Sequence, residues 1–189
     1  MNNKSLLRNR LNQLRANLTS VQVTLLSQQI LENISKSEVF KNSECIAIYS
    51  ALKNEVDLSN LIQTNKRFCL PVVRSDNVMT FHQYDKNTVL SKNQYGILEP
   101  HNALIVNADE IDLCLVPLVG FNRNGDRLGM GGGYYDRYFA NNKNHLKPVI
   151  LAGIAYDFQE DGTIVSESWD VPLDRVFTNN EVIYCGEQS

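Results

Sequence analysis

No stretch of the chain approaches the roughly 18 consecutive apolar residues of a membrane-spanning helix. Met1 to Arg10 is polar and lacks the apolar core of a secretory signal. A protein of a reducing, cytoplasmic compartment, with no membrane partner, is therefore expected. Neither charge sign dominates. Eighteen Lys and Arg stand against 21 Asp and Glu, for a net charge of −3, which excludes a polybasic nucleic-acid binder. There is no C-x-x-C pair. Cys45, Cys69, Cys114 and Cys185 are scattered singly, so the usual zinc and redox spacings are missing. Three of them lie in apolar runs and read as buried free thiols. His82, His101 and His145 show no ligand spacing. Internal repeats, low-complexity tracts and long linkers are absent too, and nothing demands an oligomer, so a monomer is expected.

What remains is an ordinary globular composition, 43% hydrophobic and 21% charged over 189 residues. That length suits one domain burying roughly 70% of its unfolded surface. Leu7, Leu11, Leu14 and Leu18 recur at steps of four, three and four, one helical stripe with Lys4, Arg8, Arg10 and Arg15 mostly off it. Thr19-x-x-Gln22 has capping-box form, and Val23, Leu26, Ile30 and Ile34 make a second stripe. Residues 1–40 are thus expected to be helices packed on an α/β core. Beyond them, short apolar runs predict strands at Cys45 to Tyr49, Phe68 to Val73, Val78 to Tyr84, Ile111 to Leu118, Val149 to Ala155, Arg175 to Thr178 and Val182 to Cys185, with a short helical pattern after Asp57. Continuous apolar strands alternating with helices indicate a sheet covered on both faces. The fold class is α/β: a three-layer α/β/α single domain over 1–189 with a mixed, mostly parallel sheet and some antiparallel edges.

After the run ending near Leu118, four of the ten glycines fall within Gly129 to Gly133, and Tyr134 onward has the look of a helix start. Strand, glycine loop and helix N-terminus make an anion cradle, because backbone N–H groups converge there and the helix dipole favours negative charge. Arg127 and Arg137 add charge-assisted donors. Asp136 suits a cation accompanying a phosphate, such as magnesium. The loop is not a Walker motif, since no G-K-[ST] follows, and it lacks the third glycine and the strand spacing of a dinucleotide fingerprint. By spacing alone it is either a phosphate or nucleotide loop or a glycine turn without a ligand.

The segment Arg127-Leu128-Gly129-Met130-Gly131-Gly132-Gly133-Tyr134-Tyr135-Asp136-Arg137 resembles the signature of the 5-formyltetrahydrofolate cyclo-ligase family, also called methenyltetrahydrofolate synthetases. Pro117 to Phe121 is similar to the family's lead-in. In order along the chain, Lys4-x-x-x-Arg8, Tyr49-Ser50 with Glu55, Gly96 to Pro100, and Asp170-Val171-Pro172-Leu173-Asp174 with Phe177-Thr178 resemble further family segments. Trp169 stands where many relatives carry histidine, and Met130 where some carry a basic residue.

The resemblance implies a fold like that of the NagB/RpiA/CoA-transferase group. It also implies cyclisation of 5-formyltetrahydrofolate to 5,10-methenyltetrahydrofolate with ATP and Mg2+. By the family pattern Lys4, Arg8, Arg127, Leu128, Gly129, Met130, Gly131, Gly132, Gly133, Tyr134 and Tyr135 bind ATP. Ser50, Glu55 and Met130 to Tyr134 contact the folate, Asp136 and Asp170 hold magnesium, and Arg127, Tyr134 and Asp136 serve the reaction. A carboxylate at Glu55 suits the N–H-rich edge of a reduced pterin, and the tyrosine rings suit a planar ligand. Taken without the resemblance, Lys4 and Arg8 fit a solvated helix face equally well, and Asp170 fits a turn cap before Pro172. A folate or nucleotide binder without turnover and, by fold analogy alone, a sugar-phosphate isomerase are the competing readings.

Overall fold

The structure, a computed structural model, describes residues 3–74, 78–140 and 147–186. Two helices open the chain, α1 (Asn3–Ala16) and α2 (Ser20–Lys36), followed by the short α3 (Glu38–Asn42). The Thr19 capping box forms as expected: its hydroxyl accepts from the Gln22 N–H while the Gln22 side chain accepts from the Thr19 N–H. The second stripe also holds, with Ile30 and Ile34 fully buried.

The first stripe holds only in part: Leu11 is buried, Leu7 half-buried and Leu18 packed on the core just past the helix. Only Leu11 and Arg15 of α1 are buried, and Leu14 is 44% exposed. The inward face is Lys4, Arg8, Leu11 and Arg15, which share the same four-three-four spacing. A leucine count could not see this, because the surface that α1 covers is not an apolar core but a polar cleft.

The central sheet has eight strands. In chain order they are β1 (Cys45–Ala47), β2 (Arg67–Val73), β3 (Met79–Tyr84), β6 (Ile105–Val106), β7 (Leu113–Pro117), β10 (Ile150–Ile154), β11 (Arg175–Phe177) and β12 (Val182–Tyr184), and in space β12-β11-β10-β7-β1-β2-β3-β6. The five from β11 to β2 are parallel; β12 and β3 flank them antiparallel, and β6 pairs antiparallel with β3 at the outer edge. Two small hairpins complete the set: β4 (Leu90–Lys92) with β5 (Leu98–Pro100), and β8 (Gly120–Phe121) with β9 (Arg127–Leu128). These two hairpins, β6 and α3 are too short to carry a periodic signal. Ser75 to Asn77, read as the break between β2 and β3, lie outside the described residues, as does His145.

Alternate strand residues build two separate cores. Ile46, Ile48, Leu70, Leu113, Leu115 and Phe177 pack with Ile30, Ile34 and Phe40 of the N-terminal helices. On the other face Cys45, Cys69, Cys114, Val116 and Leu151 pack with Phe139 of α4 (Tyr134–Phe139). The three strand cysteines are thus free, buried and on one face. Cys185 is half-buried, and burial pushes its thiol up to about 11. With six residues α4 has little intrinsic stability. It is held by aromatic contacts, Phe81 of β3 meeting Tyr138 edge-on at 5.0 Å and Phe139 at 6.2 Å. No helix among the described residues is long and apolar enough to cross a membrane.

Candidate functional site

The loops leaving the C-terminal ends of β1, β7 and β10 supply Glu55, the glycine hairpin and the Tyr156–Gln159 turn. In open α/β sheets this is the edge where ligands bind. After β7 the chain folds into the β8/β9 hairpin, whose turn is organised by Asn122. Its Oδ1 accepts from the N–H groups of Asn124 (2.9 Å) and Asp126 (3.0 Å), and its Nδ2 donates to Asp126 Oδ2 and the Ile164 carbonyl, both at 2.8 Å. Gly125 sits in the turn at φ +94, where a Cβ would lie 2.5 Å from the Leu173 carbonyl oxygen. The Leu173 N–H donates to the Gly125 carbonyl at 2.9 Å, so the hairpin is clipped to the Asp170–Asp174 segment.

The loop from Gly129 to Gly133 then leads into α4. A Cβ at Gly129 or Gly131 would meet nothing within 4 Å. Gly131, at φ +104, has a backbone reason to be glycine; Gly129 has neither a backbone nor a packing reason. A glycine free of internal constraint fits the close approach of an external group to the backbone. Met130 is 62% exposed on the rim, and Leu128 is buried beneath it.

Charged groups converge on this loop from three directions. From α1, Arg8 Nε donates to the Gly129 carbonyl at 2.8 Å, and Lys4 Nζ lies 2.9 Å from Glu167 Oε1 and 3.9 Å from Asp170 Oδ2. Arg127, with its side chain only 6% exposed, pairs with Asp136 at 2.5 Å and donates to the Val171 carbonyl. Asp136 Oδ1 also accepts from the Val171 N–H at 3.0 Å. Asp170 Oδ2 accepts from the Glu167 N–H at 2.9 Å. Asp136 is thus tied to the residue that follows Asp170, 34 positions away in sequence. Among the described residues no group of three His, Cys, Asp or Glu is arranged around a metal position. Asp136 Oδ2 and Asp170 Oδ1 make no hydrogen bond there, which leaves one hard oxygen on each. Magnesium is held in just this way, by one or two carboxylates plus phosphate oxygens and water, so the donor set fits.

At the other end of α1 lies Glu55. Its side chain is 9% exposed; Oε1 is 3.2 Å from Arg15 Nη1, and Oε2 accepts from the Leu52 N–H at 2.9 Å. A small cavity there is lined by Arg15, Tyr49, Glu55, Pro117, Tyr156 and Gln159. Burial holds the hydroxyls of Tyr49 and Tyr135 far above the usual phenol range, with Glu55 among the further causes. Both phenols are therefore held neutral, and the Tyr49 hydroxyl donates to the Val56 carbonyl at 2.9 Å. Tyr134 is half-buried. Its hydroxyl lies 3.4 Å from that of Tyr95, a contact that together with burial raises its pKa, and the Arg137 guanidinium lies 5.1 Å from its ring centroid. Ser50 is half-buried where the chain leaves β1.

One face of α1 therefore reaches the glycine loop and the Asp170 segment through Arg8 and Lys4 at one end, and Glu55 with the cavity beside Tyr49 through Arg15 at the other. Arg15, Glu167 and Tyr95 were not among the residues expected at the site. Arg15 could have been found from the Lys4-Arg8-Leu11-Arg15 spacing; the other two carry no local signal.

A model of the 5-formyltetrahydrofolate cyclo-ligase family matches residues 1–179. The 5-formyltetrahydrofolate cyclo-ligase of Haemophilus influenzae is 36% identical over 177 residues, covering 88% of this chain and 92% of the relative. That of Mycoplasma pneumoniae is 34% identical over 182 residues, covering 93% and 98%. Among solved structures, the NMR structure of Aquifex aeolicus 5,10-methenyltetrahydrofolate synthetase superposes with a TM-score of 0.83 at 32% identity, covering 98% of this chain and 94% of that one. The 5,10-methenyltetrahydrofolate synthetase from Mycoplasma pneumoniae superposes with a TM-score of 0.74 at 30% identity, covering 93% and 98%.

Proposed function

The chain belongs to the 5-formyltetrahydrofolate cyclo-ligase family, and from that premise we propose that it closes 5-formyltetrahydrofolate to 5,10-methenyltetrahydrofolate, consuming ATP in the presence of magnesium and releasing ADP and phosphate. The observation that carries the reading is the meeting of Arg8 with the Gly129 carbonyl, 121 positions away, in a loop that leads to Asp136, itself bound to the residue after Asp170. Cations, an unconstrained glycine backbone and two hard oxygens at one place suit a nucleotide triphosphate with its metal.

In the proposed reaction the formyl oxygen attacks the γ-phosphorus and the bond to ADP breaks. The carbon, now bearing a good leaving group, is attacked by the neighbouring folate nitrogen, which gives up its proton. The C–O bond breaks as phosphate leaves, and the ring is closed. The protein's part is positioning and charge stabilisation. Lys4, Arg8 and the N–H groups of residues 128 to 135 hold the phosphates. Arg127 fixes the Asp136 carboxylate and, through its remaining N–H groups, lends positive charge to the transferring group. Asp136 and Asp170 hold magnesium, which neutralises phosphate charge when bound. Glu55 accepts N–H groups of the pterin with Ser50 beside it. Tyr134 and the backbone of Met130 to Gly133 flank the folate, and the ring of Tyr135 closes the far wall.

We also read the architecture as a three-layer α/β/α single domain of the NagB/RpiA/CoA-transferase type, acting as a monomer; the two cores on opposite faces of one sheet support the layering. The test is the absorbance of the methenyl product from the purified chain with 5-formyltetrahydrofolate, ATP and magnesium, each omitted in turn. Product must require all three. Absence of product with ATP untouched overturns the proposal.

A further inference from the structure

Helix α1 touches both ends of the cleft with one face. Lys4 and Arg8 reach the 167–170 segment and the glycine loop, while Arg15 reaches Glu55. Lys4 and Arg15 are eleven residues apart, about 17 Å along the helix. Very little else holds the helix down. Its buried residues are Leu11 and Arg15 alone; a Cβ at Gly120 would lie 2.6 Å from Leu11 Cδ1, so that one leucine seats on bare backbone. The remaining attachment is polar: Lys4, Arg8 and Arg15 bind groups at the site itself, and Arg10 pairs with Asp161 outside it.

The loop carrying Glu55 is tied back to the same helix. Asn54, in the left-handed region at φ +61, turns its amide onto carbonyls at and just past the helix C-terminus: Nδ2 lies 3.1 Å from the Arg15 oxygen, which also accepts from the Leu18 N–H, and 3.3 Å from those of Ala16 and Leu18. The next residue is Glu55, whose carboxylate is held between Arg15 and the Leu52 N–H. Arg15 is itself braced by Asn12 Oδ1 at 3.2 Å. The position of the carboxylate is thus set by where α1 sits. A carboxylate this buried is costly without its partner charge.

We propose that Arg15 is a positioning residue for Glu55, and that α1 couples the two substrate sites so that nucleotide at Lys4 and Arg8 tightens the binding of reduced folate at Glu55. The inference rests on the function proposed above. Its physical basis is linkage: each ligand engages α1 in its docked position, each favours that position, and the coupling is reciprocal. A helix with so small an apolar anchor is where such coupling is strongest.

The experiment is calorimetric titration of the full chain with 5-formyltetrahydrofolate, with and without a non-hydrolysable ATP analogue plus magnesium. In the wild type the analogue is expected to tighten folate binding about 5-fold or more, within the usual range of coupling between sites. In Arg15→Met that ratio is expected to fall to about one. The folate KM should rise about 10-fold or more while kcat at saturation of both substrates stays within about 3-fold, and Arg15→Lys should restore part of the loss. An arginine that merely stabilised the fold would lower the melting temperature and leave the ratio intact, and that result overturns the proposal. If Arg15→Met does not fold, Asn54→Gly decides; it keeps the backbone conformation and removes only the tie to α1, and an undiminished ratio there overturns the proposal equally. A wild type that turns over but whose folate affinity ignores nucleotide overturns the coupling alone, whereas a wild type that binds neither ligand overturns the proposed function with it.

Discussion

Asp136→Asn separates two duties that one carboxylate performs. Its charge neutralises Arg127, whose side chain is 6% exposed, at 2.5 Å, and its Oδ1 accepts the Val171 N–H at 3.0 Å. Removing one partner of a buried ion pair costs about 3–5 kcal/mol, because the other charge is left without compensation. Asparagine keeps an oxygen for the Val171 N–H and a dipole for the guanidinium, so the expected loss is smaller, about 2–3 kcal/mol. For a chain of this length that lowers the melting temperature by roughly 4–12 °C. Turnover should drop about 100-fold or more, since a charge that organises the transferring phosphate is gone. The double variant Asp136→Asn with Arg127→Met then tells the duties apart. With both charges removed, much of the stability should return, as it does when a buried pair is replaced as a unit, while turnover stays low. Differential scanning calorimetry and the methenyl absorbance assay read the two quantities on the same samples. If the double variant regains turnover along with stability, Asp136 matters only as a partner for Arg127 and its place in the site is refuted.

Three further outcomes are expected. Glu55→Gln should raise the folate KM while leaving the ATP KM within about 3-fold; equal changes in both would remove Glu55 from the folate end. Gly125→Ala should cost about 3 kcal/mol and roughly 10 °C in melting temperature, from the left-handed backbone and the 2.5 Å approach to the Leu173 oxygen. A variant as stable as wild type would show that the clip between hairpin and Asp170 segment is not needed. Asp112 contributes to acid sensitivity. Burial alone would raise its pKa, but the Lys147 ammonium and the N–H groups of Cys45 and Glu44 outweigh burial and hold its carboxyl below the usual range. A folded-state pKa below the unfolded one gives stability that is present at neutral pH and is lost as pH falls below about 4. The stability gap between wild type and Asp112→Asn, read by urea unfolding, should therefore narrow from pH 6 to pH 3, and a gap independent of pH would contradict it.

Much of the fold was legible in the linear sequence because its signals are local. A capping box needs three residues and a buried parallel strand needs five apolar ones, so α2, β2, β7 and β10 were readable within a residue or two. The glycine run marked an unusual loop for the same reason, since backbone freedom is written in residue type. The pieces of two or three residues, β6 and the β4/β5 and β8/β9 hairpins, carry no period at all. They exist because a neighbouring strand or a turn such as Asn122 holds them.

The tertiary structure alone decided which face of α1 points inward. Leu7, Leu11, Leu14 and Leu18 obey the helical period as well as Lys4, Arg8, Leu11 and Arg15 do, and amphipathicity in a sequence assumes that the buried side is the apolar one. Here the helix lies over a polar cleft, so Leu14 faces solvent and Arg15 is buried on Glu55. The sequence by itself determined which residue types were at hand for phosphate, metal and pterin. Whether residues 4, 55, 129, 136 and 170 share one cleft depends on hydrogen bonds such as Arg8 to the Gly129 carbonyl and Val171 N–H to Asp136. Such contacts join segments far apart in the chain and leave no periodic trace in it.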